Sequence, residues 1–414
     1  FRFDGSSIFP KDRRWGFFPG VSLGWRVSEE EFIKDISPDI NNLKIRASWG
    51  QMGNDAVSAF QFLSTYTFTN GYFLGSGSDP VKGITHGVSP NPNITWEVQN
   101  TYNVGMDLNM WDGLFGLTAD FFKQRRNNIL TARNASIPNY TGLSLPNENI
   151  GIVENKGFEV ELSHFNKKGD WQYGITGNFS LAKNKIIDID EAAAAQPWQR
   201  KTGLQMGTSL YYISDGIYRT QEEIDNSPHP TGTRVGDLKY KDYDNDGKIS
   251  AADRVRLNKT NIPEIIYGVN FSLSYKNLDM SMLLQGQGRA WQYLYTESGM
   301  FRNTLHDIAA NRYTESNPNS KYPQLASQGG ISGYQSTFWL KDASFLRLKN
   351  LEIGYTLPET ILSKVKMEKL RVYANGFNLL ILYDHIKWFD PEATSMAAFY
   401  PQNRIINFGL NLTF

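Results

Sequence analysis

Apolar and polar residues alternate with a period of two along most of this chain. Val21, Leu23, Trp25 and Val27 begin the pattern, and Leu43, Ile45, Ala47 and Trp49 repeat it. It returns within residues 102–110, 115–121, 158–162, 171–181, 267–275, 278–284, 351–357, 370–374 and 406–414. Successive strand residues point to opposite faces, so these eleven segments predict strands with one apolar and one polar or small face.

A soluble β-sandwich would alternate in the same way, so the connections have to separate the two architectures. "WDG" at 111–113, "NKKGD" at 166–170 and "KN" at 276–277 predict tight hairpin turns. Between them lie long polar stretches, at about 51–94, 127–150, 183–264, 289–337 and 383–401. Residues 29–41 and 358–369 carry short helical patterns and fall where short connections are due. Short and long connections thus alternate along the chain. That is the signature of an all-β transmembrane antiparallel β-barrel, with tight turns on one side of the outer membrane and long extracellular loops on the other. Lipid leaves an open sheet edge unsatisfied, so such strands must close on themselves. Trp25, Trp49, Trp111, Tyr355 and Phe414 fall near strand ends, where aromatic girdles form.

Composition narrows the chemistry. No apolar run reaches the roughly 18 residues of a membrane-spanning helix. The 42 basic and 42 acidic residues balance, without the basic excess of a nucleic-acid partner. Cysteine is absent, which removes disulfides, thiolate metal sites and cysteine nucleophiles, and suits an oxidising envelope. The five histidines (His86, His164, His229, His306 and His385) have no metal-ligand spacing, and no nucleophile–base constellation stands out. The chain reads as a non-enzyme. A strand pattern is already under way near Phe1, so an internal or C-terminal piece of a longer protein is expected.

One short motif is sharper. "DYDNDGKISAAD" follows the twelve-residue calcium loop of an EF-hand, with Asp242, Asp244 and Asp246 at its first, third and fifth places. Gly247 supplies the turn, the Lys248 carbonyl and Ser250 are further oxygen donors, and Asp253 closes the loop where glutamate is usual. Oxygen donors in this spacing predict a bound Ca²⁺, with Mg²⁺ as the alternative because the shorter Asp253 reaches less far. Strand-like "GDLKY" before the loop and a proline-bearing segment after it predict a structural staple rather than a helix-swinging switch.

Several longer stretches carry a family likeness. "FPGVSLGWRVSEEEF", "LKIRASWGQMGN", "NPNITWEVQNTYNVGMDLNMWDGLFGLTADFFKQRRNNIL" and "GIVENKGFEVELS" resemble the barrel of SusC/RagA-type TonB-dependent transporters of Bacteroidetes. So do "FLRLKNLEIGYTLPETILSKVKMEKLRVYANGFNLL" and "YPQNRIINFGLNLTF", and the likeness runs in order along the whole chain. It implies the C-terminal part of a plugged barrel of about 22 strands, the plug and N-terminal strands lying outside this sequence. It also implies TonB-dependent import of an oligosaccharide, or in some members a peptide, beneath a SusD-like lipoprotein lid. The assembly expected is a dimer of transporter–lid pairs, and acidic loops like that at 242–253 recur at this place in the family. The aromatic Phe414 resembles the assembly signal of outer-membrane barrels.

On that reading, substrate contacts come from loop aromatics that stack on sugar faces and from hydrogen-bonding polar groups. Trp291, Tyr293, Tyr295 and Arg302, following the strand-end glycines Gly286 and Gly288, are the candidates. Two other readings fit the same residues: a calcium-dependent surface-binding or adhesion barrel that transports nothing, and an outer-membrane hydrolase with its site on the rim.

Overall fold

The structure, a computed structural model, describes the chain except residues 70, 72, 74, 76–79, 134–144, 192–195, 295–304, 326–329, 363–366 and 393–401. Its frame is an 11-stranded antiparallel sheet in which each strand pairs with its neighbours in the sequence. We number these strands β1 (Gly20–Arg26), β2 (Ile40–Asn54), β3 (Glu97–Met110), β4 (Phe115–Ala132), β5 (Asn147–Lys168) and β6 (Trp171–Asp188). The others are β7 (Ile265–Tyr275), β8 (Leu278–Gly288), β9 (Phe345–Thr356), β10 (Lys369–Asp384) and β11 (Ile405–Thr413). Each contains one of the eleven alternating segments or nearly all of it.

Tight turns fix the register. Lys168 pairs with Trp171 and Tyr275 with Leu278, which leaves two residues in each turn. Lys276 takes φ 51°, as a two-residue hairpin requires to match the strand twist. Trp111 and Asp112 also take positive φ, and the Asn41 side chain holds Asp112 by hydrogen bonds across the same rim. The helix Glu31–Ile36 fills the connection between β1 and β2 on this side.

Burial runs opposite to that of a soluble protein. Leu23, Val104, Phe121, Ile353, Phe408 (83 % exposed) and Leu410 (67 %) all lie open on one face of the sheet. A continuous apolar face left uncovered on strands of this length is a lipid-facing wall. Polar and charged residues line the opposite face. An arginine on the lipid face should therefore cost far more than one on the other. Val104→Arg is expected to lose about 2–4 kcal/mol of barrel stability if it lies near the midplane. Thr118→Arg, between Asp107 and Glu161 in the register, should cost little. Urea unfolding in lipid vesicles compares them, and equal losses would refute the face assignment.

Strands run farther into the long-connection side than expected. β4 continues to Ala132, β5 starts at Asn147, and β2 and β6 reach Asn54 and Asp188. The expected loops 51–94, 127–150 and 183–264 are correspondingly shorter, whereas the loop expected at 289–337 extends to residue 344. Above the bilayer both faces of a strand meet water or loop, so the apolar alternation that marks a strand is lost.

The buried apolar residues sit mostly in the loops. Leu238, Tyr240, Ile308, Tyr322, Ile331 and Trp339 form one cluster, drawn from the connections after β6 and β8. Ala290, Leu294, Ala343 and Ile386 form a second, which brings in the connection after β10. Three long connections therefore fold together as one extracellular cap. A third cluster (Phe9, Phe18, Ile94 and Trp96) packs the segment before β1 against the end of the β2–β3 connection.

Candidate functional site

The acidic loop is a local construction. Strand Leu238–Tyr240 leads into it, the short 3-10 turn Ala251–Asp253 ends it, and the strand Val255–Arg256 follows, so no helix pair flanks it. Gly247 takes φ 82°, a conformation that side chains with a Cβ rarely adopt, and its N–H donates to Asp242 Oδ2 at 2.8 Å. Asp244 Oδ1 accepts from the Asp246 N–H and Asp246 Oδ1 from the Lys248 N–H. These bonds aim the three carboxylates inward, and an oxygen of each lies within 4.8 Å of the others. Asp242 Oδ1 is buried without a hydrogen-bond partner.

Asp253 is placed differently from its three neighbours. It is fully buried, Oδ1 accepts from Tyr243 N–H at 2.7 Å, and Oδ2 accepts from Ser250 N–H at 2.6 Å. The Ser250 hydroxyl accepts in turn from the Ala252 N–H, so Ser250 and Asp253 cap the closing turn. The converging group is thus Asp242, Asp244 and Asp246. Desolvation, then the charges of Asp246, Asp253 and Asp242, raise the Asp244 carboxyl above the usual range.

The aromatic candidates lie in the cap. Trp291 and Tyr293 are on a short strand, Trp291–Tyr293, paired with Leu340–Asp342. Lys259 Nζ covers the Trp291 ring at 3.4 Å from its centroid. Tyr293 packs against the Trp339 cluster and Tyr211, and burial raises its phenol well above the ordinary value. Both side chains thus help build the cap. Tyr295 and Arg302 lie outside the described residues.

Sequence reading missed the ties between loops. Asp237, only 1 % exposed, accepts from the Arg234 N–H, the Gln324 side chain and the Ser332 hydroxyl, joining the connections after β6 and β8. Arg219 donates to the Ser320 hydroxyl and carbonyl across the same junction. Arg347, on β9 and 1 % exposed, donates from Nη2 to both Asp390 oxygens at 2.6 and 2.5 Å. Its Nη1 lies 2.8 Å from Glu392 Oε2, so a single guanidinium fixes the connection after β10 to the wall.

Lower on the polar face, Arg46 of β2 donates to Asp107 of β3 at 2.8 and 3.0 Å and to Asp120 of β4 at 3.1 and 3.0 Å. Gly105 stands between Arg46 and Asp120 in the register, and a Cβ there would collide with both, so only glycine leaves the guanidinium room. Arg371 bridges Asp279 and Glu352 in the same manner, over Gly354. Nearer the cap, a cavity of ≈ 320 Å³ is lined by Gln99, Gln124, Arg126, Asn155 and Asn184 and by apolar groups that include Ile129, Val153, Met206 and Ile262. The register sets Gln124, Asn155 and Asn184 in one row across β4, β5 and β6. A row of neutral amides can donate to and accept from the hydroxyl groups of a polar ligand.

A lipid-facing exterior, a charged and amide-lined interior, and heavy loops on one rim define the wall of an outer-membrane β-barrel. Comparison with known proteins names the class: the family profile described as "TonB dependent receptor-like, beta-barrel" matches residues 1–379. The chain belongs to this family, and its likenesses are to the SusC/RagA type. It is 31 % identical to TonB-dependent receptor P26 of Formosa agariphila, over 100 % of this chain and 44 % of that protein. It is 28 % identical to TonB-dependent receptor SusC of Bacteroides thetaiotaomicron, over 100 % of this chain and 41 % of that protein. The chain thus spans less than half the length of these relatives. Among solved structures, the RagAB peptide transporter shares the fold at TM-score 0.77 and 22 % identity, covering 99 % of this chain and 44 % of that one.

Proposed function

We propose that the chain forms part of the wall and extracellular mouth of a TonB-dependent importer that takes up an oligosaccharide beneath a SusD-like surface lipoprotein. The observation that carries the cargo reading is the cavity under the cap that mixes amides with apolar groups, whose Gln124, Asn155 and Asn184 suit sugar hydroxyls. Energy reaches such a barrel as force through TonB, so no residue is given a catalytic role. An oligopeptide cargo is the competing reading, because RagAB is a peptide transporter of the same fold. Uptake of labelled oligosaccharides and peptides should be compared in cells with and without TonB function. TonB-dependent peptide uptake without glycan uptake would overturn the cargo assignment, and uptake independent of TonB would overturn import.

We further infer that Asp242, Asp244 and Asp246 hold a divalent cation, Ca²⁺ or Mg²⁺, that staples the cap. Their hard oxygens suit such an ion, and the partnerless Asp242 Oδ1 is an acceptor directed at it. EGTA or EDTA should speed proteolysis near residues 237–256, and Asp242→Asn should do so without chelator. Cleavage that ignores both treatments sinks the staple. The pH dependence has a definite sign. The raised Asp244 carboxyl takes up its proton at a higher pH than an ordinary aspartate does. Binding must remove that proton, so protection by Ca²⁺ should fade as pH falls through the raised value and return above it.

A further inference from the structure

A second cavity, of ≈ 210 Å³, lies in the cap where the connections after β8 and β10 meet. Its walls combine rings and basic side chains: Tyr322 (1 % exposed), Phe338 and Trp388 with Lys321, Lys341, His385 and Lys387. Two of these basic groups already have carboxylates, Lys387 from Asp384 and His385 from Asp342 at 3.8 Å. Lys321 and Lys341 have no carboxylate within 4.0 Å among the described residues. Lys341 Nζ instead lies 5.1 Å from the Phe338 ring centre and 5.8 Å from that of Trp388. Asp307 is a nearby acid whose charge Lys321 stabilises from a distance, while its hydrogen bonds come from the Tyr322 hydroxyl at 2.6 Å and Trp388 Nε1 at 3.1 Å. Burial, with the charge of Lys321, pushes the Lys341 ammonium below its ordinary value. A half-buried cation held only by ring faces is a strong place for an anion, which would replace lost hydration with a charge-assisted hydrogen bond.

We propose that this cavity is a subsite for one anionic sugar ring of a charged glycan, with its carboxylate or sulfate on Lys341 and Lys321 and its face against the half-buried Phe338 and Trp388. Size favours a single ring, because the cavity is smaller than the pockets of about 300–1,000 Å³ that enclose larger ligands. Aromatic faces beside the lysines favour a sugar over an acidic peptide, which needs charge but no stacking surface. That the glycan is cargo rests on the import reading above. Binding by the cavity does not, and the two are measured apart.

The receptor carrying this chain, solubilised in detergent, should be titrated with tetragalacturonate, a sulfated carrageenan tetrasaccharide, maltotetraose and tetraglutamate, followed by tryptophan fluorescence. An acidic sugar should bind about tenfold or more tightly than maltotetraose, Lys341→Met should remove most of that preference, and Lys341→Arg should keep it. The tighter of the two acidic sugars tells carboxylate from sulfate. Lys321→Met, at an exposed position, gives a second readout where Lys341→Met fails to fold. Equal binding of neutral and acidic sugars, tighter binding of tetraglutamate, or preference kept in both methionine variants would overturn the proposal. Binding without TonB-dependent uptake supports the subsite and counts against the import reading alone.

Discussion

Trp339→Ala is expected to open the extracellular cap while leaving the barrel wall folded. Trp339 is 1 % exposed at the centre of a cluster that joins the connections after β6 and β8. Its Nε1 donates to the Ser332 carbonyl at 2.9 Å, and Ser332 in turn binds Asp237. Truncation removes the largest fully buried side chain and leaves both a cavity and an unpaired carbonyl. Such losses cost about 3–5 kcal/mol. The cost should fall on the cap, because the wall draws its stability from the strand ladder and the lipid. Limited trypsin digestion should therefore cut within 189–264 and 289–344 at least about a hundredfold faster. The heat-dependent shift of the barrel on a detergent gel should not move. Unchanged digestion would show that the cluster does not hold the cap, and loss of the barrel band would show that cap and wall fold as one.

Arg347→Met is expected to have a comparable cost with a different distribution. The side chain is buried, and its loss strands Asp390, only 14 % exposed, and leaves Glu392, 21 % exposed, to Lys349 alone at 3.2 Å. Removing one partner of a buried ion pair typically costs about 3–5 kcal/mol, and the residual exposure of the acids places this case at the lower end. Arg347→Lys should recover little, since one ammonium nitrogen cannot reach Asp390 and Glu392 together as Nη2 and Nη1 do. The double variant Arg347→Met with Asp390→Asn should be more stable than the single Arg347→Met, because one stranded charge is gone. Denaturation of the four forms in lipid vesicles completes the cycle. Strictly additive costs would mean that Arg347 and Asp390 are not coupled.

All eleven strands were legible because lipid imposes a period of two that no loop imitates, as in residues 171–181 and 267–275. Their extracellular ends were not. In "QRRNNILTA" both faces leave the bilayer, so β4 continues without any apolar alternation. The acidic loop was legible because its donors are contiguous, and Gly247 betrays the turn. Asp253 illustrates the limit: ligand and cap require the same residue at the same spacing, and only geometry shows its oxygens on the Tyr243 and Ser250 amides. Trp291 and Tyr293 show another. The groups packed on these two loop aromatics are brought in from distant sequence, Lys259 on one and Tyr211 on the other. Arg347 gave no local sign, since its partners lie in another connection altogether.

The alternation of turns and loops has an evolutionary reading. Strand register in this wall is set at the rim of two-residue turns, by Gly169–Asp170 and Lys276–Asn277, and by the Arg46 and Arg371 bridges. None of these touches the cap. The connections above can therefore lengthen, shorten or exchange sequence without shifting a strand, provided that anchors such as Arg347 find an acid to hold. Wall and mouth are separable inheritances: one held constant by the lipid around it, the other at liberty to change in length and sequence.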